Sequence, residues 1–172
     1  MDDHFLLLNI DLAESALTRR EGKFSRSHAY LRSAKELVEK SHSGFESGLW
    51  SFEAGNLSLA EGKLDLALDQ LSNAYKLLDE GGQKLEAASA SLLLCRAYTL
   101  KGDQQNAKSV LEQALKLISS LDSIQPLVVA GRGAKEELKY FVEDPILGPS
   151  SVKLLNRIEN FAAQIATLPL KL

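Results

Sequence analysis

The fold is decided by the stretch EGKLDLALDQLSNAYKLL, residues 61–78. Gly62 marks a turn at its start, and Ala67, Leu71, Ala74 and Leu77 then follow at steps of four, three and three residues. Side chains at these steps share one face of an α-helix, whereas a β-strand requires a step of two. The stretch therefore predicts a turn followed by an amphipathic helix.

The same pattern occurs three times along the chain. Turn glycines at positions 22, 62 and 102 are separated by 40 residues in both intervals. When these glycines are superposed, four columns match: a small residue, a leucine, an alanine and a second leucine. The columns are Ser27/Ala67/Ala107, Leu31/Leu71/Leu111, Ala34/Ala74/Ala114 and Leu37/Leu77/Leu117. A fixed period of this length is the signature of a stacked-repeat protein.

Each copy reads as two helices on either side of its glycine, because glycine readily adopts the positive φ needed just past a helix end. The 172 residues suggest one domain. We expect three repeats followed by a diverged pair of capping helices, with bounds at 1–44, 45–82, 83–121 and 122–172. The prediction is an all-α protein of about eight helices in four hairpins.

The repeat pattern fades after Leu121, but helices are still predicted. Residues 125–143 read as a helix with Pro126 near its start, and Asp144-Pro145 should stop it. Residues 146–149 are expected to form a loop. An apolar stripe over residues 152–165 predicts a last helix that ends before Pro169.

Composition and charge exclude several classes of protein. The net charge of −3 argues against a nucleic-acid-binding surface. A single cysteine cannot form an internal disulfide, and the longest apolar runs are far shorter than the roughly 20 residues of a membrane span. The acidic N-terminus differs from the basic start of a signal peptide. We expect a soluble, cytoplasmic protein with no membrane or direct nucleic-acid partner.

The second helix of each copy resembles the tetratricopeptide repeat. Ala67-Leu71-Ala74 and Ala107-Leu111-Ala114 match that family's small residue, large apolar residue and alanine. The family's small residue in the first helix falls on Gly55 and Cys95, and its aromatic residue on Tyr98. The chain departs from the family in lacking the closing proline, in a period of 40 rather than 34, and in carrying Ser51 and Ser91 at the tryptophan column, with Trp50 one residue away. The resemblance covers roughly residues 5–121 and implies a right-handed superhelix of helical hairpins.

The longer period is similar to the repeat region of large ATP-dependent bacterial transcriptional activators, typified by the maltose-regulon activator of the LuxR class and by SARP-type activators. Residues 107–121, 127–132 and 154–158 look like the end of such a region. In that family the repeats sense an inducer or a partner, and the ATPase and DNA-binding domains lie elsewhere in a longer chain. The resemblance therefore implies a sensing module of a bacterial regulator.

No residue pattern indicates catalysis. His4, His28 and His42 lack metal-ligand spacing and are expected on the surface. Cys95 would be a nucleophile only beside a base, and its column favours a buried, inert thiol. Residues 131–135 lack the GxxxxGK[ST] spacing of a phosphate loop. We expect a protein that is not an enzyme and that carries no cofactor or metal; an enzyme with an unrecognised site ranks last.

The family resemblance places ligand-binding positions on the first helix of each copy. Carried over to this chain, the partner groove contains Asn9, Arg19, Arg20, Phe52, Glu53, Asn56, Leu92, Arg96 and Thr99. Polar members would orient a peptide or small-molecule inducer, and apolar members would anchor it. For any apolar member, packing against a neighbouring repeat is an equally good interpretation.

Two functions follow from these expectations. The first is a non-enzymatic binding domain that acts as a sensor within a larger regulator and contacts that protein's ATPase and DNA-binding domains. The alternative is a stand-alone scaffold or adaptor that joins proteins, with self-association through exposed apolar edges.

Overall fold

A computed structural model describes residues 3–119 and 135–166 of the chain. Within these ranges the protein consists of helices joined by turns and has no strand, and both the all-α prediction and the predicted helix count are confirmed. The eight helices are α1 (His4–Arg20), α2 (Phe24–Ser41), α3 (Gly44–Ala60), α4 (Leu64–Glu80), α5 (Lys84–Lys101), α6 (Gln104–Ser119), α7 (Lys135–Tyr140) and α8 (Gly148–Ala166). None of them is long and apolar enough to cross a membrane.

The helices pack in the order in which they occur along the chain. The pairs α1–α2, α3–α4, α5–α6 and α7–α8 form hairpins. The second helix of one hairpin contacts the first helix of the next at α2–α3 and α4–α5, and successive first helices touch at α1–α3, α3–α5 and α5–α7. The first three hairpins therefore bury apolar surface between their own two helices and also against the neighbouring hairpins.

The second helices α2, α4 and α6 are amphipathic, as the repeat columns predict. Their small-residue, leucine and alanine columns are buried in all three copies. The fourth column, Leu37, Leu77 and Leu117, is only half-buried. Four-and-three spacing puts the first three columns toward the first helices, while the fourth lies nearer the edge of that face.

The first helices α3 and α5 are buried on more than one face. In α5 every residue from Ala87 to Cys95 is buried, because α3, α4, α6 and α7 all contact this helix. Small side chains allow such crowding. Gly48 and Gly55 of α3 face Leu78 and Leu71 of α4 with no side chain between them.

One turn geometry recurs at half the predicted period. Gly22, Gly62, Gly82 and Gly102 all have φ between +74° and +84°, and His42 has φ of +52°. These five positions are 20 residues apart, and each follows the end of one of the helices α1 to α5. At His42 the next residue, Ser43, donates its backbone N–H to Ser41 Oγ at 3.2 Å. At each glycine the next residue donates its backbone N–H to the carbonyl five residues earlier, as Lys23 does to Thr18 at 2.8 Å. This closing bond satisfies a carbonyl that the helix end would otherwise leave unpaired.

The C-terminal part differs from its predicted bounds. The helix expected at 125–143 ends at Tyr140, because Phe141, Val142 and Asp144 donate to carbonyls only three residues back and form tight turns instead. The structure describes the predicted helix only from residue 135 onward. The predicted loop at 146–149 is wrong at its end, since α8 begins at Gly148 and includes Pro149. Proline is tolerated there because a backbone N–H in the first turn of a helix has no hydrogen-bond partner within the helix. The predicted stop before Pro169 lies outside the described residues.

Candidate binding surfaces

The predicted groove residues on α1, α3 and α5 occupy three different environments. Leu92 is completely buried beside Leu111 and Leu138, so its side chain offers no surface to a ligand. Phe52 is half-buried and packs between the clusters that join α3 to α4 and α5. These two residues serve the core, which is the packing interpretation of the apolar groove positions.

Arg19 and Glu53 form a buried ion pair between α1 and α3. Arg19 Nε lies 2.9 Å from Glu53 Oε1, and its Nη2 lies 3.2 Å from Oε2. Ser15 Oγ donates to Glu53 Oε1 at 3.3 Å and lies 2.8 Å from Ser27 Oγ. Burial raises the pKa of Glu53, while the bonds from Arg19 and Ser15 oppose that rise. The pair therefore links the first two hairpins, and Arg20 beside it stays exposed.

Three predicted groove residues bond to their own helices. Asn9, Asn56 and Thr99 each donate from the side chain to the carbonyl one turn earlier, at 2.7, 3.2 and 2.9 Å. Arg96 Nε lies 3.8 Å from Glu137 Oε1 and connects α5 to α7. These four side chains are partly exposed and remain accessible to a ligand.

A cavity of about 130 Å³ lies between α2, α3 and α4, away from the predicted groove residues. Leu31, Trp50 and Leu57 form its apolar lining, together with Ala54 and Leu66. The Trp50 indole N–H donates to the Leu31 carbonyl at 2.8 Å, which fixes the ring against α2. The cavity is therefore a preformed apolar recess with a rigid aromatic wall.

Basic side chains from α2 line one side of this recess. His28, Arg32 and Lys35 line it at steps of four and three residues, so they form one row. Lys35 Nζ lies 5.7 Å from the centre of the Trp50 ring. His28 Nε2 lies 3.1 Å from both carboxylate oxygens of Glu61, whose pKa is lowered by bonds from Lys63 and His28. Lys35 Nζ also lies 3.7 Å from Glu39 Oε1 in an exposed pair. Arg32 and Lys35 are thus the basic side chains of the recess that make no bond to Glu61.

Sequence reasoning missed this recess although its parts were visible. The row of His28, Arg32 and Lys35 has the same four-and-three step as the buried columns. Trp50 stood out only as one residue away from a family column. The signal in the sequence was weak because residues from three separate helices form the recess. A row of basic residues on one helix usually marks a face that is exposed to solvent.

A second cavity of about 210 Å³ lies between α6 and α8. Leu115, Leu154, Lys153 and Arg157 line it, and so does Ser119, the last residue described before position 135. Among the described residues that line it, none is a buried polar side chain that would suggest a ligand.

Cys95, His4 and His28 are each buried or bonded to a neighbouring side chain. Cys95 is buried, and burial raises the pKa of its thiol to about 12, so the prediction of a buried thiol is confirmed. Of the histidines, His4 bonds to Glu46 at 2.9 Å and His28 bonds to Glu61. In the described ranges, no group of three or more His, Cys, Asp or Glu residues could hold a metal ion.

Comparison of the chain with family models, with curated proteins and with solved structures found no match. The resemblance to the tetratricopeptide repeat therefore stays a prediction that rests on the motif residues themselves.

Proposed function

We propose that this chain is a non-enzymatic binding domain that recognises a peptide segment of a partner protein. The apolar recess beside Trp50, with Arg32 and Lys35 at its rim, is the observation that carries the proposal. On the strength of the sequence resemblance, we further propose that the domain is a cytoplasmic sensing module of a larger bacterial transcriptional regulator.

The size of the recess favours a peptide over a small-molecule inducer. Pockets that enclose small-molecule ligands are usually about 300–1,000 Å³, whereas this one is about 130 Å³. A space of this size suits one apolar side chain of a partner, and a buried anchor of that kind dominates the energy of many interfaces. The cations at the rim favour carboxylates on either side of the anchor. The proposed ligand is therefore an acidic peptide with a central leucine or phenylalanine.

The predicted groove residues have a secondary role in this proposal, as contacts for a longer ligand. Arg20, Asn56, Arg96 and Thr99 are accessible and could contact a longer ligand that follows the first helices. Arg19 and Glu53 satisfy each other, and Leu92 is enclosed, so we assign these three to structure. Replacing Asn56 and Arg96 together by alanine tests the groove: unchanged affinity for the acidic peptide removes it from the binding site.

The recess can be tested with the chain's own fluorescence, because Trp50 is its only tryptophan. The probe is a short peptide with a central Leu-Phe pair flanked by Glu and Asp. We expect the peptide to cause a saturable change in Trp50 emission. The variant Arg32→Glu/Lys35→Glu should bind the peptide roughly 10-fold or more weakly, since a 10-fold change in the dissociation constant requires a loss of only about 1.4 kcal/mol of binding free energy.

The matched control reverses two exposed charges far from the recess, Lys84→Glu/Lys116→Glu, and keeps the same net charge as the rim variant. A second control replaces the acidic residues of the peptide by lysine. Equal loss of affinity in both double variants, or equal binding of both peptides, would contradict the proposal.

The alternative function is a stand-alone scaffold or adaptor. The exposed apolar side chains on α1 favour it, because contiguous exposed apolar patches often mark protein interfaces. The two alternatives differ in the size of the native protein in its source cells. An immunoreactive band near 18.8 kDa favours the adaptor, and a band several times larger favours the regulator module.

A further inference from the structure

The outer face of α1 exposes a stripe of apolar side chains. Leu6, Ile10 and Leu17 have 58%, 48% and 52% of their surface exposed, and Ala13 between them is exposed as well. Four apolar residues on one helix face, all open to solvent, are unusual in a helix whose other side already packs on α2 and α3.

The corresponding face of the next two first helices is covered. When the copies are aligned on their turn glycines, Ile10, Ala13 and Leu17 correspond to Trp50, Glu53 and Leu57 in the second copy. In the third copy they correspond to Ala90, Leu93 and Ala97, which are all buried. These residues pack on the preceding hairpin: Leu57 on Leu31, Ala90 on Ala74 and Leu93 on Leu71. The stripe on α1 is therefore the face that binds another helix in this architecture.

The stripe has the spacing of a coiled-coil seam. Its apolar members lie at steps of four, three and four residues, and Asp3 and Arg20 extend it by three residues at either end. Alternating steps of three and four keep a seam facing a second helix along its length.

The seam is also complementary to the seam of a second α1 helix that runs in the opposite direction. In an antiparallel pair of α1 helices centred between Asp11 and Leu12, Leu6 meets Leu17 of the second copy, and Ile10 meets Ala13. Asp3 then lies opposite Arg20 of the second copy at both ends. A parallel pair would instead place Asp3 against Asp3 and Arg20 against Arg20, which costs energy. Charge complementarity thus selects the antiparallel arrangement.

We infer that the stripe binds a second copy of this chain and forms a symmetric dimer through antiparallel α1 helices. The same patch serves both subunits, as a two-fold interface requires, and the contact closes without leading to a filament. Interfaces that bury less than about 1,200 Å² are weak and transient, so a single helix pair predicts micromolar dissociation. The dimer leaves the recess beside Trp50 open, since the recess lies between α2, α3 and α4.

Sedimentation velocity over a concentration series up to several hundred micromolar tests the dimer. We expect the wild-type chain to dimerise and Leu6→Glu/Leu17→Glu to remain monomeric throughout the series. Leu100→Glu/Ile146→Glu is the matched control, because these side chains are as exposed but lie outside the stripe. Circular dichroism checks that both variants are folded.

A charge swap tests the antiparallel register. Asp3→Arg alone and Arg20→Asp alone should each weaken the dimer by roughly 5- to 10-fold, because each places like charges at two contacts. The double variant should return to within about twofold of the wild-type dissociation constant. A wild-type chain that stays monomeric, a control pair that also abolishes the dimer, or a double variant that stays as weak as the single ones overturns the inference.

The dimer and the proposed function can fail separately. Leu6→Glu/Leu17→Glu should bind the acidic peptide with unchanged affinity by Trp50 fluorescence. Arg32→Glu/Lys35→Glu should dimerise like the wild type. Loss of peptide binding in the α1 variant would contradict the claim that the two surfaces are independent.

Discussion

Gly55 of α3 lies directly against Leu71 of α4: a Cβ atom at Gly55 would come within 2.5 Å of Leu71 Cγ and 3.3 Å of the Leu71 backbone nitrogen. Leu71 is fully buried, so it has little room to move aside. The absence of a side chain at Gly55 therefore sets how closely the two helices of the second hairpin approach.

Gly55→Ala should destabilise the protein although alanine is the better helix former. The alanine gains about 1 kcal/mol of helix propensity, whereas overpacking a tight core costs about 1–3 kcal/mol. We expect a net loss of about 1 kcal/mol in urea unfolding. Gly44→Ala is the control, because nothing lies within 4 Å of its Cβ position. Equal stability changes in the two variants would show that the contact with Leu71 is easily relaxed.

The turn at His42 can be improved by glycine. His42 has φ of +52°, and the four other turns of this type all use glycine. A side chain in the left-handed region costs about 1–2 kcal/mol, part of which is offset by the freedom that glycine adds to the unfolded chain. His42→Gly should therefore raise the free energy of unfolding by about 0.5 kcal/mol. The reciprocal change, Gly102→Ala, should lower the free energy of unfolding. A His42→Gly variant that is less stable than wild type, or a Gly102→Ala variant that is more stable, would contradict a shared turn geometry.

The ion pair between Arg19 and Glu53 should make stability depend on pH once the arginine is removed. Burial raises the pKa of Glu53 above its ordinary value of 4.5, so the folded state holds this proton more tightly than the unfolded state. In Arg19→Met the buried carboxylate loses its main partner. Stability should then fall as the pH rises from about 4.5 through the raised pKa of Glu53.

We expect Arg19→Met to cost about 3–5 kcal/mol near pH 8 and clearly less near pH 4.5, where the raised pKa lets the folded state hold a proton on Glu53. Urea unfolding at both pH values measures the difference. Adding Glu53→Gln to Arg19→Met should remove the pH dependence. A loss that is the same at both pH values would mean that Glu53 is not the group that titrates.

The effect of Asp144 on stability should have the opposite pH dependence to that of Glu53 in Arg19→Met: Asp144 stabilises the fold at neutral pH and loses this effect in acid. Its carboxylate accepts from Lys108 Nζ at 2.8 Å and from the backbone N–H groups of Leu147 and Ile146 at 2.9 Å. These bonds hold the pKa of Asp144 at about 2. The stabilisation is complete above the ordinary pKa of 3.8 and is lost as the pH falls from there toward 2.

Asp144→Asn should therefore lower the melting temperature near pH 7, and the difference from wild type should shrink toward pH 2. Asp65→Asn is a suitable control, because Asp65 pairs with Lys101 at an exposed site and accepts no backbone N–H in the described structure. A constant difference between Asp144→Asn and wild type at all pH values would refute the assignment.

The alanine column sets a limit on side-chain size between α5 and α6. Ala114 has no exposed surface and belongs to the core that includes Leu92 and Leu111. Ala114→Phe should overpack this core and cost about 1–3 kcal/mol or more. Gln113→Phe, one position away on the exposed face, should change stability little. A thermal melt of Ala114→Phe within error of wild type would contradict the repeat alignment.

The repeat columns and turn glycines could be found without the structure because they express local physics. A step of four and three residues places Leu31, Leu71 and Leu111 on the same face wherever the helix goes, and a glycine after a helix can adopt positive φ in any context. The finer 20-residue spacing escaped notice because His42 takes the turn conformation without being glycine.

The binding surfaces depend on contacts between distant parts of the chain. Arg19 and Glu53 are 34 residues apart, and nothing in their local sequence distinguishes a buried pair from two solvated charges. Leu92 is enclosed only because α5 has neighbours on several sides. The recess beside Trp50 exists only where α2, α3 and α4 meet.

The amino-acid sequence alone therefore determined helices α1 to α6, the amphipathic faces of the second helices and the glycine turns, since those follow from side-chain spacing and backbone conformation. Tertiary packing decided which polar residues became internal links, which apolar residues stayed open on α1, and where a cavity formed. Burial is a property of neighbours, and a helix acquires its neighbours only when the hairpins assemble.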